Sequence, residues 1–171
     1  MASESTPSTR RNFILQQGLP EPEGASCDVQ YSALLFQPKL VGMATLFAVA
    51  FQSDAVFFAL AAVLWWSALL PRLNPFEALF NAVLARRGGL WLGPAPASRR
   101  FAQGMAGMFA LAIGLSLQLG WRVTAFTLEA LFIAAVAALV LGGFCLGSFV
   151  YHLLGGRARF ATRTLPWARG A

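Results

Sequence analysis

Polar and apolar positions divide the chain into three unequal stretches. Residues 1–30 are rich in Ser, Thr, Pro and Glu, and apolar character then runs with interruptions from Tyr31 to Leu154. Residues 156–171 are basic. The pattern predicts a polar N-terminal tail (1–30), a membrane domain (31–155) and a basic C-terminal tail (156–171). The first tail, punctuated by Pro20-Glu21-Pro22-Glu23-Gly24, reads as flexible or peripheral. No short apolar core closely follows its opening residues, so no cleavable signal peptide is expected.

Within the apolar stretch, four runs stand between interruptions, at about 34–51, 55–70, 101–119 and 123–150. At 1.5 Å per residue they are roughly 27, 24, 28 and 42 Å long, against a hydrocarbon core of about 30 Å. The first two are at the short limit, and the fourth is longer than it needs to be. Gln52-Ser53-Asp54 predicts a turn, with Ser53 or Asp54 capping the next helix. One helix through it would put Asp54 at the bilayer centre, costing about 2.5–3.5 kcal/mol. The expected fold is therefore all-α: a polytopic membrane protein with four transmembrane helices arranged as two hairpins.

A fifth element lies between the hairpins. Asn74-Pro75-Phe76-Glu77 combines a cap residue, Pro at the first helical position and Glu at the third. Phe76, Leu79, Phe80, Val83 and Leu84 follow at helical spacing, and Arg86-Arg87-Gly88-Gly89 closes the run. This predicts a short amphipathic helix over about 75–87, lying at the membrane interface or docked under the bundle. Gly42–Ala50 and Gly104–Ala112 share six of nine residues, which hints at duplicated hairpins related by an axis along the membrane normal.

Composition changes the picture in two ways. Only 12% of the 171 residues are charged while 57% are hydrophobic, too little polar surface for a water-facing globule, which carries about 25% charged residues. The 13 basic residues against 7 acidic ones fall in the gaps between apolar runs rather than on a recognition helix, so nucleic acid is not an expected partner. Twelve of the bases lie in the N-terminal tail, the central loop, the C-terminal tail or the span ends beside them; only Arg122 lies on the other side. That asymmetry predicts that both termini and the central loop face the cytoplasm from an inner membrane, with the lipid bilayer as the chain's first partner.

Candidate chemistry is sparse. Glu129 is the one carboxylate well inside a span, seven residues after Arg122 and on the same face. An intramembrane acid suggests proton or cation handling, unless it is hydrogen-bonded to Thr124, Thr127 or Ser116. Cys145 is a lone thiol near the inner end of the fourth run, and Cys27 lies in the polar tail. His152 is the single histidine, so neither a zinc site nor a bis-His haem is expected, and no cofactor or metal is implied. Ala106, Ala110 and Gly114 keep a spacing of four on the third run, and Gly143 with Gly147 forms GxxxG on the fourth. Such small residues let helix backbones approach inside lipid. Trp65, Trp66, Trp91, Trp121 and Tyr151 fall near the expected interfaces, as belt residues do.

Three motifs carry a resemblance: Gly143-Phe144-Cys145-Leu146-Gly147-Ser148-Phe149, Leu73-Asn74-Pro75-Phe76, and Arg99-Arg100-Phe101-Ala102-Gln103. Over about residues 30–155 the chain resembles the bacterial membrane family known as domain of unknown function 4395. The resemblance implies a four-helix membrane unit with no assigned reaction. Some members carry a second Cys where Ser148 stands here, and some are encoded beside thioredoxin-like or sulfurtransferase proteins. It thus implies a thiol-redox or sulfur-relay role, although Cys145 alone forms no dithiol.

Together these features lead first to a non-enzymatic scaffold or accessory subunit, working as a homo-oligomer or with other membrane subunits. A thiol-redox or sulfur-relay component using Cys145 comes second. A small transporter or channel subunit with Glu129 in its pathway comes third.

Overall fold

The computed structural model describes residues 7–21, 26–85 and 91–168. Its regular elements are all helical: α1 (Pro7–Gln16), α2 (Ser26–Leu34), α3 (Phe36–Ala50), α4 (Asp54–Leu69), α5 (Pro75–Phe80), α6 (Ala97–Gln118), α7 (Arg122–Gly142), α8 (Leu146–Leu154) and α9 (Ala158–Arg163). Among the described residues there is no strand.

Three helices are long and apolar enough to cross a membrane: Cys27–Ala50, which joins most of α2 to α3 in 24 residues, α6 with 22 and α7 with 21. The joint at Leu35 keeps its ladder, since Leu35 N donates to the Tyr31 carbonyl and Lys39 N to that of Leu35. The fourth apolar helix, α4, has 16 residues. At about 24 Å it is shorter than a hydrocarbon core of about 30 Å. Ser53 caps it, its hydroxyl accepting from Val56 N at 3.4 Å. Pro71 offers no donor to continue it, and a 3-10 turn, Pro71–Leu73, follows.

The core forms where α3, α4, α6 and α7 meet. Val41, Ala48, Phe57, Leu60, Leu64, Ala110, Ile113 and Phe132 interlock there, and α4 lies along α6 as its most extensive partner. Glycines set the closeness of these contacts. A Cβ on Gly114 would stand 3.0 Å from the Phe58 ring, and one on Gly107 would meet the Trp65 indole. Outside the core, Met43, Phe47, Phe51, Val123, Phe126 and Leu141 are large apolar side chains left exposed.

Three expectations need correction. The run over 123–150 is not one helix: α7 stops at Gly142, Gly143 takes φ 62°, and α8 starts at Leu146. Gly143 and Gly147 therefore share no helix face. Two successive glycines lower the propensity enough for the chain to turn, and glycine accepts the left-handed conformation without strain. The tails, in turn, are structured. Phe13 and Ile14 of α1 are fully buried against Leu34, Leu35 and Cys145, and the polar Asn12, Gln16 and Gln17 around them are buried as well. The C-terminal segment packs on α1, with Asn12 Nδ2 donating to the carbonyls of Leu165 and Ala168 at 3.0 Å each. Finally, the helix expected over 75–87 is α5 followed by a π-type turn, Asn81–Ala85. Arg86 to Gly89 lie outside the described residues.

Candidate functional site

The α5 N-terminus forms as its sequence dictates. Asn74 Oδ1 accepts from Phe76 N at 3.0 Å, and Pro75 occupies the first position, where no donor is needed. The apolar side of α5 then docks, Phe80 meeting Phe36 edge-on with ring centroids 5.5 Å apart. Docking carries Glu77 inward, where it is 5% exposed. Asn81 fixes the next turn to the following segment through a two-way amide pair with the Leu92 backbone, at 3.0 and 2.9 Å.

Glu77 meets Arg99, the third residue of α6, which is 6% exposed. Arg99 Nη1 lies 3.4 Å from Glu77 Oε1, and Nη2 donates to Gln37 Oε1 on α3 at 3.1 Å. Gln103, one turn further along α6, donates Nε2 to the same oxygen at 2.9 Å. Burial pushes the Glu77 carboxyl above its ordinary value, and the attraction of Arg99 pulls it back only in part.

The amide orientations in this cluster are forced. A guanidinium can only donate, so Gln37 must turn its oxygen toward Arg99. Gln103 must then offer its amino group to that oxygen, and its own Oε1 is left over. That atom is buried and has no hydrogen-bond partner, a situation that costs about 1–3 kcal/mol.

A cavity of about 230 Å³ opens beside the cluster. Gln37, Arg99 and Gln103 line its polar end, while Phe109, Leu131, Phe132 and Leu139 are among its apolar walls. Cys145 and Gly147 also border it. Gly147 keeps α8 against α6, since a Cβ there would lie 2.6 Å from the Ala102 Cα. Cys145 is buried, and its backbone N–H, at the start of α8, donates to Gln16 Oε1 of α1 at 2.9 Å.

The structure gathers some expected residues and separates others. Cys145, Gly147 and Ala106 line the cavity, while Glu77 reaches its polar end through Arg99. Ala110 and Gly114 are spent inside the α4–α6 contact. Glu129 stands apart: its two oxygens each lie 3.2 Å from Gln52 Nε2, in the turn between α3 and α4. Of the three partners expected for it, Thr127 donates to the Val123 carbonyl and Ser116 to that of Ala112. Arg122 is exposed and, among the described residues, forms no ion pair with Glu129. His152, expected as a plain interface residue, is buried with Nε2 3.1 Å from the Gln16 carbonyl. Because a carbonyl only accepts, Nε2 carries the proton there. Among the described residues, no group of three His, Cys, Asp or Glu could hold a metal ion.

Sequence reasoning missed Gln37, Arg99 and Gln103 as a site. A signal existed, because Arg99 and Gln103 are an i, i+4 polar pair at the mouth of an apolar helix, with no acid within a turn to pair them. Searches of curated proteins and of solved structures return no match. Two of the three motifs line the cavity, Arg99 and Gln103 from the second and Cys145 and Gly147 from the third, and the Leu73–Phe76 stretch ends one residue before Glu77, which pairs with Arg99. Residues 30–155 match the family described as domain of unknown function 4395, and the chain belongs to that family.

Proposed function

We propose that the protein is an integral membrane component without enzymatic activity, serving as an accessory subunit or scaffold of a membrane complex. In this reading α3–α4 and α6–α7 are two membrane hairpins, α5 docks at the interface, and both termini face the cytoplasm of a bacterial inner membrane. The packing supports the hairpins. It pairs α4 with α6 and α3 with α7, the two pairs that an axis relating duplicated hairpins would exchange.

The observation that carries the proposal is the cap at one end of the bundle. Asn12 and Thr9 of α1 bond to the carbonyls of Leu165, Ala168 and Pro166. This joins the Arg-bearing N-terminal helix to the segment that carries Arg157, Arg159 and Arg163, all three exposed. An apolar bundle ending in one basic, folded cap presents that cap to anionic headgroups or to an acidic partner subunit. The test is extraction from native membranes in mild detergent. A stoichiometric co-purifying polypeptide, or a homo-oligomer, is expected; a lone monomer overturns the subunit role.

A second reading has one observation in its favour: the Cys145 thiol borders a cavity, so a thiol-redox or sulfur-relay step with a soluble thioredoxin-like or sulfurtransferase partner has a place to occur. Loss of thiol trapping in Cys145→Ser would support it, and unchanged trapping would remove it. For the transport reading, Gln52 gives Glu129 a structural partner. Unchanged solute or ion flux in Glu129→Gln proteoliposomes would dispose of that role.

A further inference from the structure

The seam between α4 and α6 is filled, and the seam between α3 and α7 is not. Where α4 lies on α6, the Trp65 indole covers Gly107, and Arg100 Nε donates to the Ala68 carbonyl at 2.7 Å. Where α3 lies on α7, a hollow of about 360 Å³ remains, bordered on α3 by Lys39, Met43 and Leu46 and on α7 by Ile133, Ala137 and Leu141. Each set recurs every three or four residues and so forms one helix face. Gly42 also lines the hollow, and a Cβ there would stand 3.0 Å from Val136 Cγ1, so the two helices touch beside it. Met43, Leu46 and Leu141 form exposed rims.

The two ends of the hollow differ. Beyond Leu46 and Ile133 the seam is shut: Ala48 and Phe132 are buried in the core, and Gln52 Nε2 reaches the Glu129 carboxylate at 3.2 Å. At the other end stands Lys39, exposed and, among the described residues, in no ion pair. Length separates the possible occupants. The hollow follows about 10 Å of α3 and about 12 Å of α7 at 1.5 Å per residue, whereas one leaflet is about 15 Å deep, half of a core of about 30 Å. A partner helix would need a face along the whole span; a lipid chain needs only the depth of its own leaflet. Charge then selects the head. A lysine near a helix end extends its ammonium to the headgroup level. An anionic phosphodiester neutralises it there, while a zwitterionic head brings a second cation beside it.

We propose that the groove between α3 and α7 seats an anionic glycerophospholipid, its phosphate at the Lys39 ammonium and one acyl chain running between Met43 and Leu141 toward Leu46 and Ile133. The proposal rests on the membrane reading of the chain. It does not depend on a partner subunit.

The test uses the full-length protein in phosphatidylcholine vesicles holding a trace of phosphatidylglycerol with a diazirine in one acyl chain. Photolabelling is expected to concentrate on peptides that carry residues 39–46 and 133–141. Unlabelled phosphatidylglycerol should compete about fivefold better than phosphatidylethanolamine, the ratio that one lysine near an anionic head supplies. Lys39→Arg should keep that ratio, and Lys39→Gln should bring it below about twofold while labelling persists. Ala137→Phe should abolish labelling of both peptides by filling the hollow. The competition on the unaltered protein needs no variant to fold. Equal competition by the two lipids overturns the proposal, as does an unchanged ratio in Lys39→Gln or labelling that survives Ala137→Phe. Labelling that fades as the protein is crowded in the vesicles also overturns it, because a second copy then covers the groove. Protein that enters vesicles yet is labelled evenly over its exposed spans, or not at all, overturns the lipid site and leaves the membrane reading standing. Protein that stays in the aqueous phase removes that reading, and the proposal with it.

Discussion

Arg99 and Glu77 form the one ion pair among the described residues in which both side chains are buried. Removing one member of a buried pair costs about 3–5 kcal/mol, since the other charge is left without compensation. Here the cost of Arg99→Leu should depend on pH. Burial already raises the Glu77 carboxyl, so the folded protein holds that proton at pH values where the unfolded chain, titrating at the ordinary carboxylate value, has released it. Stability from this group is greatest below the unfolded value and declines as pH rises through the raised one. Taking away Arg99 removes the attraction that restrains the rise, so the window extends upward. Thermal unfolding in detergent should show a larger deficit for Arg99→Leu at pH 8 than at pH 5, and equal deficits would count against it. The double change Glu77→Leu with Arg99→Met should cost less than Arg99→Leu alone at pH 8. None of this was legible in the chain. Charge counting treats every arginine beside a span as topogenic, whereas the burial of Arg99 depends on Gln37, 62 positions away. The Asn74–Glu77 cap was legible, because it is local; that Glu77 reaches across to Arg99 instead of back to its own helix was not.

At the scale of elements, glycines separate contacts that can yield from contacts that cannot. A Cβ on Gly107 would collide with the Trp65 ring, but Trp65 is 40% exposed and can swing outward. A Cβ on Gly147 would collide with the Ala102 backbone, which has nowhere to go. Gly147→Ala should therefore destabilise by about 1–3 kcal/mol, as overpacking does, and Gly107→Ala by much less. Unfolding temperatures of the two variants decide the matter; equal losses would mean that α8 shifts freely on α6. Gly143→Ala should cost about 1–2 kcal/mol for a different reason, the left-handed backbone at φ 62°. The helices α4, α6 and α7 were readable because apolar runs and their Ser, Pro and Gly punctuation are local signals. The break at Gly142-Gly143 was foreshadowed by a run of roughly 42 Å, too long for a hydrocarbon core, yet where the excess would go depended on α1. Gln16 supplies the acceptor for Cys145 N, and nothing near Cys145 in the sequence announces it.

For the whole molecule, the decisive question is whether the two ends of the chain act as one body. They are 153 and 156 residues apart at the Asn12 contacts, and composition marked the first only as a flexible or peripheral tail and the last only as a basic one. The apolar faces of α1 and α9 are short and lie outside the long runs, so hydropathy patterning gives them little weight. Asn12→Ala would strip a donor from two carbonyls at once and should cost about 1–3 kcal/mol. If the cap folds with the bundle, that cost should appear as a lower unfolding temperature for the entire protein in detergent. Were the cap an appendage, the same change would instead raise proteolysis of residues 156–171 and leave the bundle transition in place. The topology proposed for the chain adds a second readout. Reporters that fluoresce only in the cytoplasm, fused at either terminus, should both be bright, since Asn12 and Ala168 meet directly and no span can separate them. One bright and one dark terminus would mean that an odd number of helices crosses the bilayer, and the 16-residue α4 would be the first to reassign as a segment that enters without crossing.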